Sequence, residues 1–160
     1  RLGRCRLMRL WRLSGHEFAQ VFDGGYGLRF DGRWNTVGHA TTYVSTSPSL
    51  CVLEKLVHVE DPDLMPALEM VAYDVPNEVP VARLTLDDLP DDWRRREAET
   101  QHIGDKWLSS LDAAVLFVPS AIVSLPQSPD ENAIINHRHQ AASIIRIAWT
   151  QSFNLDTRLL

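Results

Sequence analysis

One stretch of the chain decides the fold: residues 41–57, with the sequence TTYVSTSPSLCVLEKLV. Its first six residues, 41–46, are rich in β-branched side chains and predict a strand. Ser47 and Pro48 then favour a helix start, with the serine as N-cap and the proline at the first helical position. The apolar side chains of this helix recur every three or four residues and predict one stripe that faces the core: Leu50, Leu53 and Val57.

Segments on either side of this stretch predict further short strands and a second helix. The strands are expected at residues 9–13, 69–75, 79–84, 113–118 and 143–149. The helix is expected over residues 91–109, where Gly104 is a candidate break, and the glycine-rich run at 23–27 is typical of a turn. Many short strands with two helices predict an α+β fold, in a single compact domain with a mixed β-sheet core and flanking helices.

The length and composition fit one globular domain. The 160 residues contain 44% hydrophobic and 23% charged residues without a repeat or linker, so residues 9–160 are expected to form one domain. No apolar run approaches the ~20 residues of a membrane span, and no apolar segment of a secretory signal follows the basic start. Two cysteines, Cys5 and Cys51, are too few for a disulfide framework and fit the reducing cytoplasm.

Charge is unevenly distributed along the chain. The formal net charge is −5, but residues 1–12 hold five arginines and no acid, which leaves 11 basic and 21 acidic residues, or −10, in the remainder. A segment with this excess of negative charge binds nucleic acid poorly, and we expect no direct binding of nucleic acid by this chain. The basic start is either a DNA-contacting arm or a solvated leader. We interpret residues 1–8 as a leader, with Met8 as a candidate natural start.

Glu54 is the candidate for carboxylate chemistry. It precedes His58 by four residues, so a helix would place both side chains on one face. A carboxylate at the margin of an apolar stripe, held in a cleft beside the sheet, would stabilise a cationic transition state. The alternative is a solvated glutamate that pairs with His58.

Other polar candidates flank the predicted strands. Arg33 lies in a glycine-flanked loop, where its guanidinium either clamps a diphosphate or is an ordinary surface group. Tyr43 alternates with its neighbours on a predicted strand and is consistent with a core position. Ser120 follows a proline at a strand end, a place typical of a turn residue or a helix cap, and Asn136 suits a turn.

No metal is expected. His137 and His139 are one residue apart and, with His102, suggest a metal site, but the chain has neither a Cys/His set at zinc-finger spacing nor a His-Glu-x-x-His motif. It also lacks a Gly-x-Gly-x-x-Gly fingerprint, which argues against a dinucleotide fold that uses NAD⁺ as a hydride carrier.

Together these motifs resemble the RES domains of bacterial toxin–antitoxin pairs. The similar runs are Gly-Gly-Tyr-Gly-Leu-Arg-Phe-Asp-Gly-Arg-Trp-Asn at 24–35, Leu-Glu-Lys-Leu-Val-His at 53–58, Gly-Asp-Lys-Trp-Leu at 104–108, Val-Pro-Ser at 118–120 and Asn-Ala-Ile-Ile-Asn-His at 132–137. By motif position, the arginine, glutamate and serine that name the family are Arg33, Glu54 and Ser120. Many members have Asn-Pro-x-His where this chain has Asn-His-Arg-His at 136–139, so the matching histidine stays open.

The resemblance implies an ADP-ribosyltransferase-like fold with NAD⁺ as substrate and no resident cofactor. Cleavage of the nicotinamide–ribose bond passes through an oxocarbenium-like ribose. Glu54 would stabilise that cation, Arg33 would hold the pyrophosphate, and Tyr43 would stack on nicotinamide. Further substrate contacts are expected from five residues: Trp34, Asn35, His58, Ser120 and Asn136.

The acceptor and the partners follow from the same resemblance. Water gives a glycohydrolase, inorganic phosphate as co-substrate gives a phosphorylase, and a protein side chain gives an ADP-ribosyltransferase. We favour net NAD⁺ degradation that arrests growth. Ser120, Asn136 and one of residues 137–139 would hold phosphate, unless residues 136–139 are an exposed polar turn. The implied partner is an Xre-type helix-turn-helix antitoxin, with self-association in the complex. A non-catalytic antitoxin-binding module is the other alternative.

Overall fold

The computed structural model describes residues 7–160, which form one seven-stranded sheet with three α-helices and several single 3₁₀ turns. The elements in chain order are β1 (Leu7–Gly15), α1 (Gly25–Arg29), β2 (Thr41–Ser45), α2 (Pro48–Leu56), β3 (Leu68–Pro76), β4 (Val81–Arg83), α3 (Glu97–Ser110), β5 (Val115–Pro119), β6 (Glu131–Asn136) and β7 (Arg146–Phe153).

The sheet is mixed and runs in the order β4-β5-β6-β2-β1-β3-β7. Within residues 7–160, only β4 and β5 pair in parallel, with Val81 opposite Val115, while the other neighbouring strands pair antiparallel. The predicted α+β fold is therefore confirmed. Strand β2 lies near the middle of the sheet and connects the β5-β6 half to the β1-β3 half.

The strand-to-helix passage at Ser47 is confirmed in detail. The Ser47 hydroxyl accepts a hydrogen bond from the backbone N–H of Leu50 at 3.2 Å, and Pro48 is the first helical residue. The predicted core stripe is wrong beyond its first member, because Leu53 and Val57 are 39% and 60% exposed. Helix α2 ends at Leu56 and buries only its first turn, through Leu50 and the adjacent Cys51.

Apolar side chains fill both faces of the sheet. Val44 of β2 packs in one cluster with residues such as Val71 and Ile135. Its neighbour Tyr43 points the other way and packs on a second cluster that includes Trp34. This alternation follows from the two-residue repeat of a strand, and it puts Tyr43 on the face that α3 covers.

Four parts of the sequence-based prediction are corrected by the structure. Residues 131–136, which carried no strand prediction, form β6 between β5 and β2. The last strand is Arg146–Phe153 rather than 143–149, because residues 140–144 form a 3₁₀ turn. Helix α3 runs through Gly104 without a break. The predicted turn at 23–27 is partly helical, since α1 begins at Gly25.

Strand β1 begins at Leu7, two residues before the expected start of the domain. Leu7 and Met8, assigned above to a leader, pair with Pro76 and Val75 of β3. Residues 1–6 of that leader, including Cys5, lie outside the described residues. None of the helices within residues 7–160 is both long and apolar enough to cross a membrane.

Candidate active site

The turn that carries Arg33 is fixed by its backbone. Gly32 and Asn35 exchange backbone hydrogen bonds at 2.9 and 3.4 Å, which closes a tight turn. From α3, the Thr100 hydroxyl donates to the Arg33 carbonyl at 2.7 Å and the Gln101 side-chain amide donates to the Gly32 carbonyl at 3.0 Å. Two side chains of the helix therefore hold the arginine turn against α3.

Gly104 permits this close approach of α3. A Cβ atom at this position would lie 1.8 Å from the carbonyl oxygen of Trp34, so only glycine fits. One residue further on, the Asp105 carboxylate accepts from the backbone N–H and the hydroxyl of Thr36, at 2.9 and 2.7 Å. The glycine that was predicted as a helix break is instead a packing contact.

Trp34 and Asn35 support the turn from beneath. Trp34 is 2% exposed and packs against Trp93, with ring centroids 5.8 Å apart. Asn35 is 1% exposed and donates its amide hydrogens to the carbonyls of Phe30 and Thr36. The structure thus places both predicted substrate-binding side chains in the interior of the turn, where their contacts are with the protein.

Tyr43 joins the arginine turn to the sheet. Its hydroxyl accepts from the backbone N–H of Trp34 at 2.9 Å and donates to the Asn35 Oδ1 atom at 2.7 Å. Burial raises the pKa of the Tyr43 phenol well above its ordinary value, so the group stays neutral. The half-buried ring packs on the second apolar cluster and leaves one part uncovered.

The Arg33 guanidinium is positioned by one backbone carbonyl and one aromatic ring. It donates to the carbonyl of Arg94 at 3.2 Å and lies 5.7 Å from the centroid of the Trp93 ring. Among residues 7–160, no carboxylate oxygen lies within 4.0 Å of it. A guanidinium has five N–H donors, so most of them are available to an anion.

Glu54 lies on α2, half-buried, with its two oxygens in different surroundings. Its Oε1 atom accepts from the side-chain amide of Asn132 at 2.6 Å and from the hydroxyl of Ser120 at 3.2 Å. Its Oε2 atom accepts no hydrogen bond from the described residues. The carboxylate is therefore oriented through one oxygen, and the other can face a ligand.

Ser120 is both a turn residue and a partner of Glu54. It is fully buried, and its hydroxyl oxygen accepts from the backbone N–H groups of Ile122 and Val123, each at 3.1 Å. Its single hydroxyl proton is then directed to Glu54. Ser120 is therefore both the predicted turn residue and a contact of Glu54, because the turn orients its hydroxyl group toward the carboxylate.

The parts of the site meet on one face of the sheet. In the β2-β6 register Tyr43 lies opposite Ile134, and Ser45 lies opposite Asn132. Residues two apart on a strand lie on one face about 7 Å apart, so Tyr43 is a close neighbour of the Ser45–Asn132 pair that reaches Glu54. The structure thus brings Arg33, Tyr43, Glu54 and Ser120 to one region.

Asn136 and His58 do not join this region. The Asn136 amide donates to the Leu108 carbonyl and its Oδ1 atom accepts from the Arg138 backbone N–H, at 2.9 and 3.1 Å. It lies four residues along β6 from Asn132, roughly 13 Å away, and it forms a turn. His58 is exposed beyond the end of α2 at Leu56, so the predicted pairing on one helix face does not form.

The remaining histidines form no metal or phosphate site with these groups. His137 hydrogen-bonds to the Thr42 hydroxyl at 2.8 Å, on the other face of β2 from Tyr43, and burial lowers the pKa of its ring to about 4. His139 accepts from the backbone N–H of Ala141 in the same turn. No three His, Cys, Asp or Glu side chains within residues 7–160 gather as a metal site would need. The groups expected to hold phosphate do not come together. Ser120 lies near the start of β6, and residues 136–139 lie at its end.

Two contributors were missed by the sequence analysis. Asn132 and Ser45 were not candidates, yet Asn132 makes the shortest hydrogen bond to Glu54 and the Ser45 hydroxyl donates to its Oδ1 atom at 2.7 Å. The available signal was the paired asparagines of the Asn-Ala-Ile-Ile-Asn run at 132–136, which was noted as a motif but without a strand assignment.

Comparisons with known proteins agree over nearly the whole chain. A family model described as the RES domain matches residues 9–157. The chain is 32% identical over 157 residues to a protein named Toxin Res from Photorhabdus laumondii, with 96% of this chain and 97% of the relative covered. It is 34% identical over 154 residues to a Toxin Res from Pseudomonas putida, with 95% and 99% covered.

A third relative and a solved structure extend the comparison. A protein from Sphingobium sp. named Prs ADP-ribosylating toxin is 34% identical over 158 residues, with 94% of this chain and 95% of the relative covered. The crystal structure of the Mycobacterium tuberculosis MbcT–MbcA toxin–antitoxin complex contains a chain of the same fold, with a TM-score of 0.67 at 18% identity over 92% of this chain and 85% of that one. This protein belongs to the RES domain family.

Proposed function

We propose that this chain is the toxin of a bacterial toxin–antitoxin pair and that it cleaves NAD⁺ at the nicotinamide–ribose bond. One observation carries the proposal: the Glu54 carboxylate is held through Oε1 by two neutral donors, and Oε2 accepts no hydrogen bond from residues 7–160. The names of the Toxin Res relatives and of the ADP-ribosylating relative support the biological role.

The residues divide the chemistry as follows. The bond from ribose to nicotinamide breaks, nicotinamide departs with the electron pair, and the ribose carbon becomes cationic before the acceptor attacks it. The unpaired oxygen of Glu54 stabilises that cation. The Arg33 guanidinium, which has no counterion within the described residues, binds the pyrophosphate, and the ring of Tyr43 stacks on nicotinamide.

We infer that the acceptor is water or inorganic phosphate, which gives net loss of NAD⁺ in the cytoplasm. Of the groups considered for phosphate, only Ser120 lies at Glu54. A second candidate is transfer of ADP-ribose to a cellular protein. The name of the Sphingobium relative favours that alternative.

Product analysis tests the proposal. Purified protein is incubated with NAD⁺, with and without added phosphate, and the products are identified by mass spectrometry. We expect release of nicotinamide, with ADP-ribose as the hydrolysis product or ADP-ribose-1″-phosphate as the phosphorolysis product. Radiolabel on a lysate protein, with little free product, would select the transferase. Absence of nicotinamide release under all these conditions would leave a non-catalytic antitoxin-binding module.

A partner follows from the proposed role. We propose an Xre-type helix-turn-helix antitoxin that covers the region of Arg33 and Glu54, in a complex where the toxin self-associates. The antitoxin would supply the DNA contacts, because residues 13–160 carry a net charge of −10. Tight, salt-sensitive DNA binding by the purified toxin alone would contradict this division, and so would a complex that cleaves NAD⁺ as fast as the free toxin.

A further inference from the structure

We propose that Asn132 is a positioning residue for Glu54 and that Ser45 fixes the orientation of the Asn132 amide. The inference rests on the proposed function, in which Glu54 is the catalytic carboxylate. Three side chains from β2, β6 and α2 form a continuous relay: the Ser45 hydroxyl donates to Asn132 Oδ1 at 2.7 Å, and Asn132 Nδ2 donates to Glu54 Oε1 at 2.6 Å.

The direction of this relay follows from its chemistry. An ionised carboxylate only accepts hydrogen bonds, so Asn132 must turn its amide nitrogen toward Glu54. Its oxygen then faces Ser45, whose hydroxyl donates. Asn132 and Ser45 are directly opposite each other in the β2-β6 register, where side chains are about 5 Å apart at Cβ, so the sheet itself sets their spacing.

The relay selects which carboxylate oxygen is left for the ligand. Asn132 and Ser120 both donate to Oε1, so the unpaired Oε2 atom is the one presented to the ribose. Both donors are neutral. An arginine or lysine in the place of Asn132 would hold the carboxylate equally well but would cancel the negative charge that a developing cation requires.

The charged and titratable groups next to the relay in sequence or register have partners or are neutral, and Arg33, in the same region, is a cation that has no counterion among residues 7–160. Burial raises the pKa of the Cys51 thiol, next to Ser45, to about 11, so it stays protonated. Glu131 is paired with Arg83 at 3.0 Å, and Asp130 accepts from Ser47 at 3.2 Å. An acid placed at residue 132 would therefore interact mainly with Glu54.

The Asn132→Asp variant tests the relay because it keeps the shape and replaces the donor by a second carboxylate. We expect kcat for nicotinamide release at pH 8 to fall ~10²-fold with little change in KM, since Glu54 loses its orientation. Activity should recover as pH falls, because a proton shared between two adjacent carboxylates restores a donor to Glu54. Asn154→Asp, at an exposed asparagine, is the matched control and should keep the wild-type pH profile.

A second measurement does not depend on activity. The side-chain amide resonance of Asn132 in a ¹⁵N-correlation spectrum should shift in both Glu54→Ala and Ser45→Ala, because each removes one end of the relay. An Asn132→Asp variant with wild-type kcat and pH profile would overturn the inference, as would an amide resonance that neither substitution moves. A wild-type protein that releases no nicotinamide would count against the proposed function alone, and the spectrum would still decide on the relay.

Discussion

Strand β6 carries an asparagine near each end, and the two side chains bind different kinds of partner. Asn132 is half-buried and donates to the carboxylate of Glu54 at 2.6 Å. Asn136 is 1% exposed, donates to the carbonyl of Leu108 at 2.9 Å and accepts from the backbone N–H of Arg138 at 3.1 Å. Four residues apart, they lie on the same face of the sheet.

Under the proposed mechanism, this difference separates turnover from stability along a single strand. The first end of β6 orients the Glu54 carboxylate through a side-chain hydrogen bond, so under the proposed mechanism changes there should alter turnover. The second end satisfies backbone groups, among them the Leu108 carbonyl in the last turn of α3, which has no partner within the helix. Changes at that end should alter the free energy of unfolding.

The largest effect is expected at the first end of β6, from Glu54→Gln. Glutamine keeps an oxygen that accepts from Asn132 and Ser120 but removes the charge. Turnover of NAD⁺ should therefore fall ~10²-fold or more, about 2.7 kcal/mol in activation free energy, while the melting temperature barely changes. Steady-state kinetics and thermal unfolding measure the two quantities. Glu60→Gln, at an exposed glutamate, is the control, and wild-type turnover by Glu54→Gln would remove Glu54 from the mechanism.

At the second end of β6, the turn end, Asn136→Ala should lower stability and leave turnover unchanged. Both its backbone partners, the Leu108 carbonyl and the Arg138 N–H, lose their hydrogen bonds, and a buried unpaired group costs about 1–3 kcal/mol. We expect the free energy of unfolding, measured by urea titration, to fall by about 2 kcal/mol with kcat per folded molecule unchanged.

The exposed Asn77→Ala is the matched control for this measurement and should unfold like the wild type. A stable Asn136→Ala protein that has lost turnover would contradict the distinction between the two ends of β6. It would return Asn136 to the substrate site that the family resemblance implied.

A smaller effect is expected from the Arg33→Lys variant, which tests the proposed contact of Arg33 with the pyrophosphate. Lysine keeps the charge but lacks the planar fork that binds a diphosphate through two hydrogen bonds. We expect kcat/KM for NAD⁺ to fall ~10-fold, about 1.4 kcal/mol, with Arg138→Lys at an exposed arginine as control. A change in the melting temperature alone, with kinetics intact, would make Arg33 structural.

Local patterns were sufficient where a segment carries its own signal. The β-branched run predicted β2 to within a residue, and Ser47-Pro48 predicted the start of α2, because capping and proline geometry act over one helical turn; the end of α2 at Leu56 came two residues before His58, which had been expected on the helix. The α+β class followed from the same kind of signal. The arginine, tyrosine, glutamate and serine that motif position selected are brought to one region.

Long-range contacts explain what the sequence analysis missed. Strand β6 contains only three consecutive apolar residues and becomes a strand because β5 and β2 pair with both its edges. Gly104 suggested a helix break by its intrinsic propensity, but it is required for contact with Trp34, 70 residues away in the chain. Asn132 and Asn136 could not be told apart, since the partner of each comes from a distant segment.

The smallest expected effect concerns His137, which follows Asn136 at the turn end. Burial lowers the pKa of its ring to about 4, with Asp23 and Arg12 as the nearby charges. Between about pH 6.5 and 4 the unfolded chain binds a proton that the folded protein does not, so this histidine lowers stability as pH falls through that window. The glutamine of His137→Gln stays neutral at every pH. From pH 7 to pH 5, the free energy of unfolding of the variant should therefore rise relative to that of the wild type by about 1 kcal/mol, a value that allows for the partly solvated ring. Urea unfolding at both pH values measures the shift.

A difference that does not change with pH would mean that the ring is as well solvated in the folded protein as in the unfolded chain. A pH-dependent change in kcat, but not in stability, would instead connect the turn end of β6 to catalysis.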